Sequence, residues 1–136
     1  MKRNLKREKA RKLRRAKKCK VMPYLSLLKQ ADAVFSKWIR TRDNWTCIVC
    51  GTKENIQNGH LIPRGNKAVR YDEKNCDGLC GYDNWRDRFW HHYYEIAWLK
   101  RYGVDEMMKL AERASVKVHK IPREELEYII KRYALR

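Results

Sequence analysis

The sequence predicts an α+β domain in which a small ββα segment is held in a mainly helical frame behind a basic N-terminal arm. Three observations carry that reading. Apolar residues recur at helical spacing in four stretches, and the region between the first two is short and turn-rich. The first twenty residues hold twelve Lys or Arg and a single acid, Glu8. A chain of 136 residues suits one compact domain with a tail. The expected division is an arm over 1–22 and a body over 23–136.

The arm is poor in apolar residues and densely like-charged, so free in solution it should repel itself and stay disordered. The whole chain has 33 basic and 16 acidic residues, net +17, and the part beyond residue 20 still carries +6. Each phosphate neutralised by Lys or Arg releases condensed counterion, which makes nucleic acid the expected partner. A merely solubilising basic tail is the plainer alternative. Lys2, Arg3, Lys6, Arg7, Arg11, Lys12, Arg14 and Arg15 are the candidate phosphate contacts of the arm. No run of about eighteen apolar residues is present, so no membrane span is expected. No apolar core follows the N-terminal charges, so a secretory leader is not expected either, and a cytoplasmic, nucleoid-associated protein is.

After Pro23, Leu27, Leu28, Ala31, Val34, Phe35, Trp38 and Ile39 recur at helical spacing and predict an amphipathic helix over about 24–42. Asp43-Asn44 ends it. Leu61-Ile62 and Ala68-Val69 flank Pro63-Arg64-Gly65-Asn66, a hairpin signal. A helix then runs from about Asp83 to Tyr102 and stops at Gly103. Trp85, Phe89, His92, Tyr93, Ile96 and Ala97 are its expected buried side, and Asn84, Asp87, Arg88, His91 and Glu95 a polar stripe. A third helix starts at Asp105 as N-cap and offers Met108, Leu110 and Ala111 for packing. A fourth, with Pro122 in its first turn, carries Leu126, Ile129, Ile130 and Tyr133.

Five cysteines are an odd number for a disulfide framework, and their paired spacing favours a metal. Cys47-x-x-Cys50 before Gly51 places two thiolates on one side of a tight loop, which suits tetrahedral zinc. Cys80 is the obvious third ligand. The fourth is open among Asp83, which gives Cys80-x-x-Asp83, Cys76, which could instead be a small buried apolar residue, and no stable protein ligand at all. Cys19 stands alone and reads as a spectator.

His60, just after Gly59 and between the halves of the zinc site, is the candidate general base: neutral imidazole near pH 7 can take a proton from a water attacking phosphorus. A hard cation, Mg²⁺ or Mn²⁺, would neutralise charge on the phosphate and the leaving 3′ oxygen. Asn84 is the best candidate to hold it through its side-chain oxygen. Asp87 and His91 on the same face are possible further ligands, or simply a solvated helix face. Asn75 could brace the loop carrying His60, and Arg64 and Arg70 suit phosphate clamping or plain exposure. His92 and His119 read as non-catalytic.

The run QNGHLIPRGN, then VRYDEKN, then C-x-x-D-N resembles the His-Me finger (HNH, ββα-metal) nucleases. More closely, the chain is similar to the NinG/Rap recombination proteins of lambdoid phages, over about Ala31 to Tyr133. The likeness includes the FSKWIRTRD, YEIAWLKRYG and EELEYIIKRY segments. It implies that Cys47, Cys50 and Cys80 bind structural zinc, that His60 is the general base, and that Asn75 and Asn84 are the middle and last residues of the HNH motif. It also implies a metal-dependent, structure-selective DNA endonuclease that cuts branched recombination intermediates such as Holliday junctions and D-loops, acting in a phage-infected or prophage-bearing bacterial host. A homodimer would let two opposed strands be cut. Two positions depart from the pattern: Asp83 replaces an expected Cys, and Gly59 replaces the acid that many HNH enzymes place before the histidine. A general HNH nicking or packaging-associated endonuclease on duplex DNA is one alternative, and a zinc-containing DNA-binding module with a decayed nuclease site is another.

Deleting residues 1–20 should weaken DNA binding and flatten its salt dependence, by roughly 0.9 in log–log slope for each phosphate the arm would have neutralised, while leaving any metal requirement intact. Binding titrations at several salt concentrations measure this, and an unchanged slope means the arm does not touch phosphate.

Overall fold

The computed structural model describes residues 21–86 and 92–134. Mixed structure is observed, mostly helical, with one two-stranded sheet. Arm residues 1–20, Cys19 among them, and Asp87, Arg88, Phe89 and His91 fall outside the described residues.

The first helix, α1 (Tyr24–Arg42), begins after Pro23 and buries Leu27, Ala31, Phe35 and Ile39, one residue per turn. Leu28, Val34 and Trp38 pack beside that stripe. The final helix, α5 (Arg123–Tyr133), lies against it with Leu126, Ile129 and Tyr133, and Ile121 closes the approach. Phe35 sits edge-on to both Tyr71 and Tyr133, at ring-centroid distances of 5.4 and 4.9 Å. Together these residues make the first of two apolar cores.

Between the two helices lie β1 (Ile56–His60) and β2 (Cys76–Cys80), paired antiparallel from Ile56 opposite Cys80 to His60 opposite Cys76. This corrects the hairpin expected across 61–69. The backbone N–H and C=O of Ile62 are both taken by the Asn75 side chain, at 2.7 and 2.9 Å, so they are not free for a neighbouring strand. Asn66 accepts from the Ala68 N–H and opens a 3-10 turn over Lys67–Val69. The expected strand residues 68–69 thus lie in a turn.

The expected helix from Asp83 to Tyr102 is described as two pieces, α2 (Gly81–Arg86) and α3 (His92–Tyr102). Its expected buried side is corrected. Trp85, Tyr93 and Ile96 are 58, 55 and 49% exposed, and His92 is exposed, while Tyr94 and Trp98 are buried. Both of the latter can sit inside because their polar tips find partners: the Tyr94 hydroxyl donates to Asp77 at 3.1 Å and Trp98 Nε1 to the Lys74 carbonyl at 2.6 Å. Gly103, at φ +84°, turns the chain into α4 (Val104–Ala114), which starts one residue before the expected Asp105 cap. Here Leu110 is buried with Met107 and Ala114 packing around it, whereas Met108 and Ala111 are exposed. Cys47, Ile56, Val69, Leu79 and Cys80 complete this second core.

A charged network joins the end of α1 to β2 and α3. Arg42 and Arg101 both bond Asp43 and Asp77, and the hydroxyls of Tyr94 and Tyr102 donate to the fully buried Asp77. Burial pushes the Asp77 carboxyl up to about 6, against the pull of Tyr102, Arg101 and Arg42. Among the described residues no helix is long and apolar enough to cross a membrane.

Leu126→Ala should cost about 2–5 kcal/mol of folding stability, because it opens a cavity between α1 and α5. Met108→Ala should stay within about 0.5 kcal/mol, since that side chain faces solvent. Denaturant titration of both variants measures the difference.

Candidate functional site

Two sites share the segment from Cys47 to Asn84. The first is a sulfur–carboxylate cluster. Cys47 and Cys50 lie in a tight loop closed by the Gly51 N–H bond to the Cys47 carbonyl, with Gly51 at φ +76°. Cys80 ends β2, and Asp83 stands in the first turn of α2. The ligand atoms of these four residues all lie within 4.8 Å of one another. Asp83 Oδ2 is 3.2 Å from the sulfurs of Cys47 and Cys80, and the Cys50 and Cys80 sulfurs are 3.8 Å apart.

Zinc–sulfur and zinc–oxygen bond lengths in a tetrahedron give edges of roughly 3.5–3.8 Å, so the set is close to what zinc requires. The Thr52 backbone N–H favours the Cys50 thiolate, but burial and the company of Asp83, Cys47 and Cys80 outweigh it and push that thiol up to about 12. A cation at the centre would reverse that balance, since metal binding displaces thiol protons. Cys76 is not part of the cluster. It starts β2 at the opposite end from Cys80 and is buried in the α1–α5 core. Burial and the neighbouring Asp77 push its thiol well up.

Arg86, which sequence reasoning missed, holds the other oxygen of Asp83 at 2.6 Å. This i,i+3 pair orients the carboxylate so that Oδ2 meets the sulfurs, as outer partners of metal ligands do. Asp83 is held below the usual carboxylate range. Burial pushes it up, but the thiols of Cys50, Cys80 and Cys47 and the charge of Arg86 outweigh that.

The second site is a cleft of about 420 Å³, lined among others by Asp32, Asn58, His60, Arg64, Arg70 and Asn84. His60 Nε2 is 3.1 Å from the Arg70 carbonyl oxygen. A carbonyl can only accept, so Nε2 carries the proton and Nδ1 keeps a lone pair. Burial lowers the His60 pKa; the bond to the Arg70 carbonyl opposes this, while the charges of Arg70 and Arg64 add to it. The imidazole is therefore neutral at pH 7.

Asn84 lies on the cleft wall, with its Nδ2 donating to Gln57 Oε1 at 2.8 Å. Its side-chain oxygen takes no hydrogen bond from the described residues. Asn75 is placed apart from the cleft lining and is fully buried. It holds both polar groups of Ile62 and the Val69 carbonyl, which ties down the loop after His60 from within.

Of the two expected phosphate clamps, Arg64 is exposed at the cleft mouth. Arg70 is engaged: it grips Asp32 with two bonds of 2.9 and 2.6 Å and donates to the Arg64 carbonyl. Asp32, which also accepts from the Tyr71 hydroxyl, is the other residue that sequence reasoning missed. Its only signal was an acid one step away from the apolar stripe of α1. Asp87, His91 and the arm residues Lys2 to Arg15 lie outside the described residues.

The position before His60 has no room for an acid. A Cβ on Gly59 would run into the Leu79 side chain, and the Tyr94 hydroxyl approaches the Gly59 carbonyl at 3.4 Å. An acidic residue there would have to displace core.

A family model described as "Bacteriophage Lambda NinG protein" matches residues 1–136. No curated protein and no solved structure matches the chain. The cluster geometry makes a direct forecast. The purified protein should carry about one zinc per chain through its four ligands. Cys80→Ala should lose the metal and melt at lower temperature, while Cys76→Ala should retain it. Zinc release by a thiol-reactive reagent, with thermal melts of each variant, measures this.

Proposed function

The chain belongs to the bacteriophage lambda NinG family, a phage recombination-associated family, and we propose that it is a metal-dependent, structure-selective DNA endonuclease. Its substrates are branched recombination intermediates, Holliday junctions and D-loops, and its centre is an HNH site built on His60, Asn75 and Asn84. One observation carries this reading. The Arg70 carbonyl fixes the His60 proton on Nε2, so that a basic Nδ1 remains on a histidine whose cleft also contains Asn84.

In the reaction, Nδ1 of His60 removes a proton as water attacks phosphorus, and the 3′ oxygen leaves and is protonated from solvent. A divalent cation, Mg²⁺ or Mn²⁺, held at the Asn84 oxygen would draw charge from the phosphate and the departing oxygen. Asn75 acts through position alone: it keeps the loop from Leu61 to Arg70 in place, and with it the carbonyl that orients His60. Arg64 supplies the exposed positive charge at the cleft mouth. Zinc at Cys47, Cys50, Cys80 and Asp83 is structural in this scheme, and DNA is the partner of the basic arm.

The filled space behind Gly59 favours a second reading. Without an acid beside the histidine, the cation has fewer charged ligands, and a zinc-containing DNA-binding module with a decayed nuclease centre follows from that.

Cleavage of a four-way junction and a matched linear duplex with Mg²⁺ or Mn²⁺ separates these readings. The wild type should cut the junction preferentially, and His60→Ala should cut about 10²–10⁴ times more slowly while binding it equally well. The rate should be level at neutral pH and fall only below the ordinary imidazole value of 6.5, because burial lowers the His60 pKa and the base must be unprotonated. Equal cutting of both substrates would instead mark a general duplex nuclease, and binding without cutting the decayed module.

A further inference from the structure

Three large aromatic side chains of α2 and α3 stand out from the surface. Tyr82, Trp85 and Tyr93 are 65, 58 and 55% exposed, although apolar surface of that size gains by burial. Arg86 joins two of them, with its guanidinium 5.1 Å from the Tyr82 ring centroid and 4.0 Å from that of Tyr93. The same guanidinium is fixed by its 2.6 Å bond to Asp83. Arg86 and the two rings it meets are thus tied to the sulfur–carboxylate cluster rather than loosely displayed.

We propose that Tyr82, Trp85 and Tyr93, with Arg86 between two of the rings, form a stacking platform for unpaired DNA bases. This rests on the nucleic-acid reading above and deepens it, because it names the feature of the substrate that the surface recognises. Every base has a π face, so stacking on aromatic rings and on an arginine plane tolerates any sequence. In a closed duplex those faces are covered. At a branch point or in a single strand they are open.

Charge selects the occupant. A polyanion is the complement of this patch, which has an arginine at its middle on a chain of net +17. Asn84, which lines the cleft, is carried on the same short helix α2 as Tyr82 and Trp85.

The test compares fluorescence anisotropy of a labelled oligo-dT with that of a closed hairpin duplex, using the full, zinc-loaded chain at one salt concentration. Tyr82→Leu, Trp85→Leu and Tyr93→Leu keep apolar bulk but remove the π face; the corresponding Phe variants keep both. Each Leu variant should bind oligo-dT about tenfold more weakly, with little change on the duplex, and Phe should restore most of the affinity. Equal weakening on both DNAs, or none on oligo-dT, would overturn the proposal. So would Leu variants that turn a dimer into a monomer without touching oligo-dT affinity, which would make the patch an interface between copies. A chain that binds oligo-dT through these rings yet cuts nothing keeps the platform and loses the nuclease reading. One that binds no nucleic acid loses both.

Discussion

Asp83 and Asn84 are consecutive residues with different neighbours: the acid meets the sulfurs of Cys47 and Cys80, and the amide lines the cleft of His60. Whatever fixes the first fixes the second. A sheet of two short strands is marginal in water, and this one has five residues in each strand. Three sulfurs and a carboxylate drawn together at one end hold the Cys47 loop, the end of β2 and the start of α2 in one piece. The other end, four residues away along β1, presents His60. A metal that never touches the scissile bond would in this way set the distance between the residues proposed to act on it.

The charged network behind β2 sets the other side of that frame. Two arginines from α1 and α3 converge on two aspartates, and one of those acids has no exposed surface. Removing a single partner from such a group leaves a buried charge uncompensated, which costs far more than the intact group contributes. Its value lies in register. Asp43 also accepts the Gly78 N–H at 2.8 Å, so the end of α1 is tied to the middle of β2.

The legible parts of the molecule were those whose signal is local. The apolar stripe of α1 gives its helix to within the residues observed, and the Cys47–Cys50 loop announces itself by spacing. The strands were hidden because IQNGH and CDGLC have little intrinsic strand character. Each contains a glycine required by a neighbour: Leu79 crowds Gly59, and the Thr46 carbonyl lies 2.8 Å from where a Cβ on Gly78 would stand. On α3, apolar character alone ranks Ile96 and Tyr93 with the core and so points to the wrong face. What selected Tyr94 and Trp98 was a hydrogen-bond partner for each polar tip, supplied by residues far away in sequence. At the candidate site, the grip of Asp32 on Arg70 spans 38 positions and leaves no periodic trace.

The pairing of α1 with α5 has a consequence for how the chain comes together. The stripe from Leu27 to Ile39 is covered by residues from Ile121 to Tyr133, so the first core closes only when nearly all of the described chain is available. Even the edges are shared across that span: the Tyr24 hydroxyl donates to the Ile121 carbonyl, and Arg123 to that of Met22. The sulfur–carboxylate cluster needs only the stretch from Cys47 to Asp83, a much shorter loop with less closure entropy. During synthesis the cluster can therefore assemble while the greasy side of α1 is still bare, and α5 acts as the late-arriving lid. Such an order leaves an aggregation-prone helix waiting on α5, and it makes loss of α5 damaging to the whole fold.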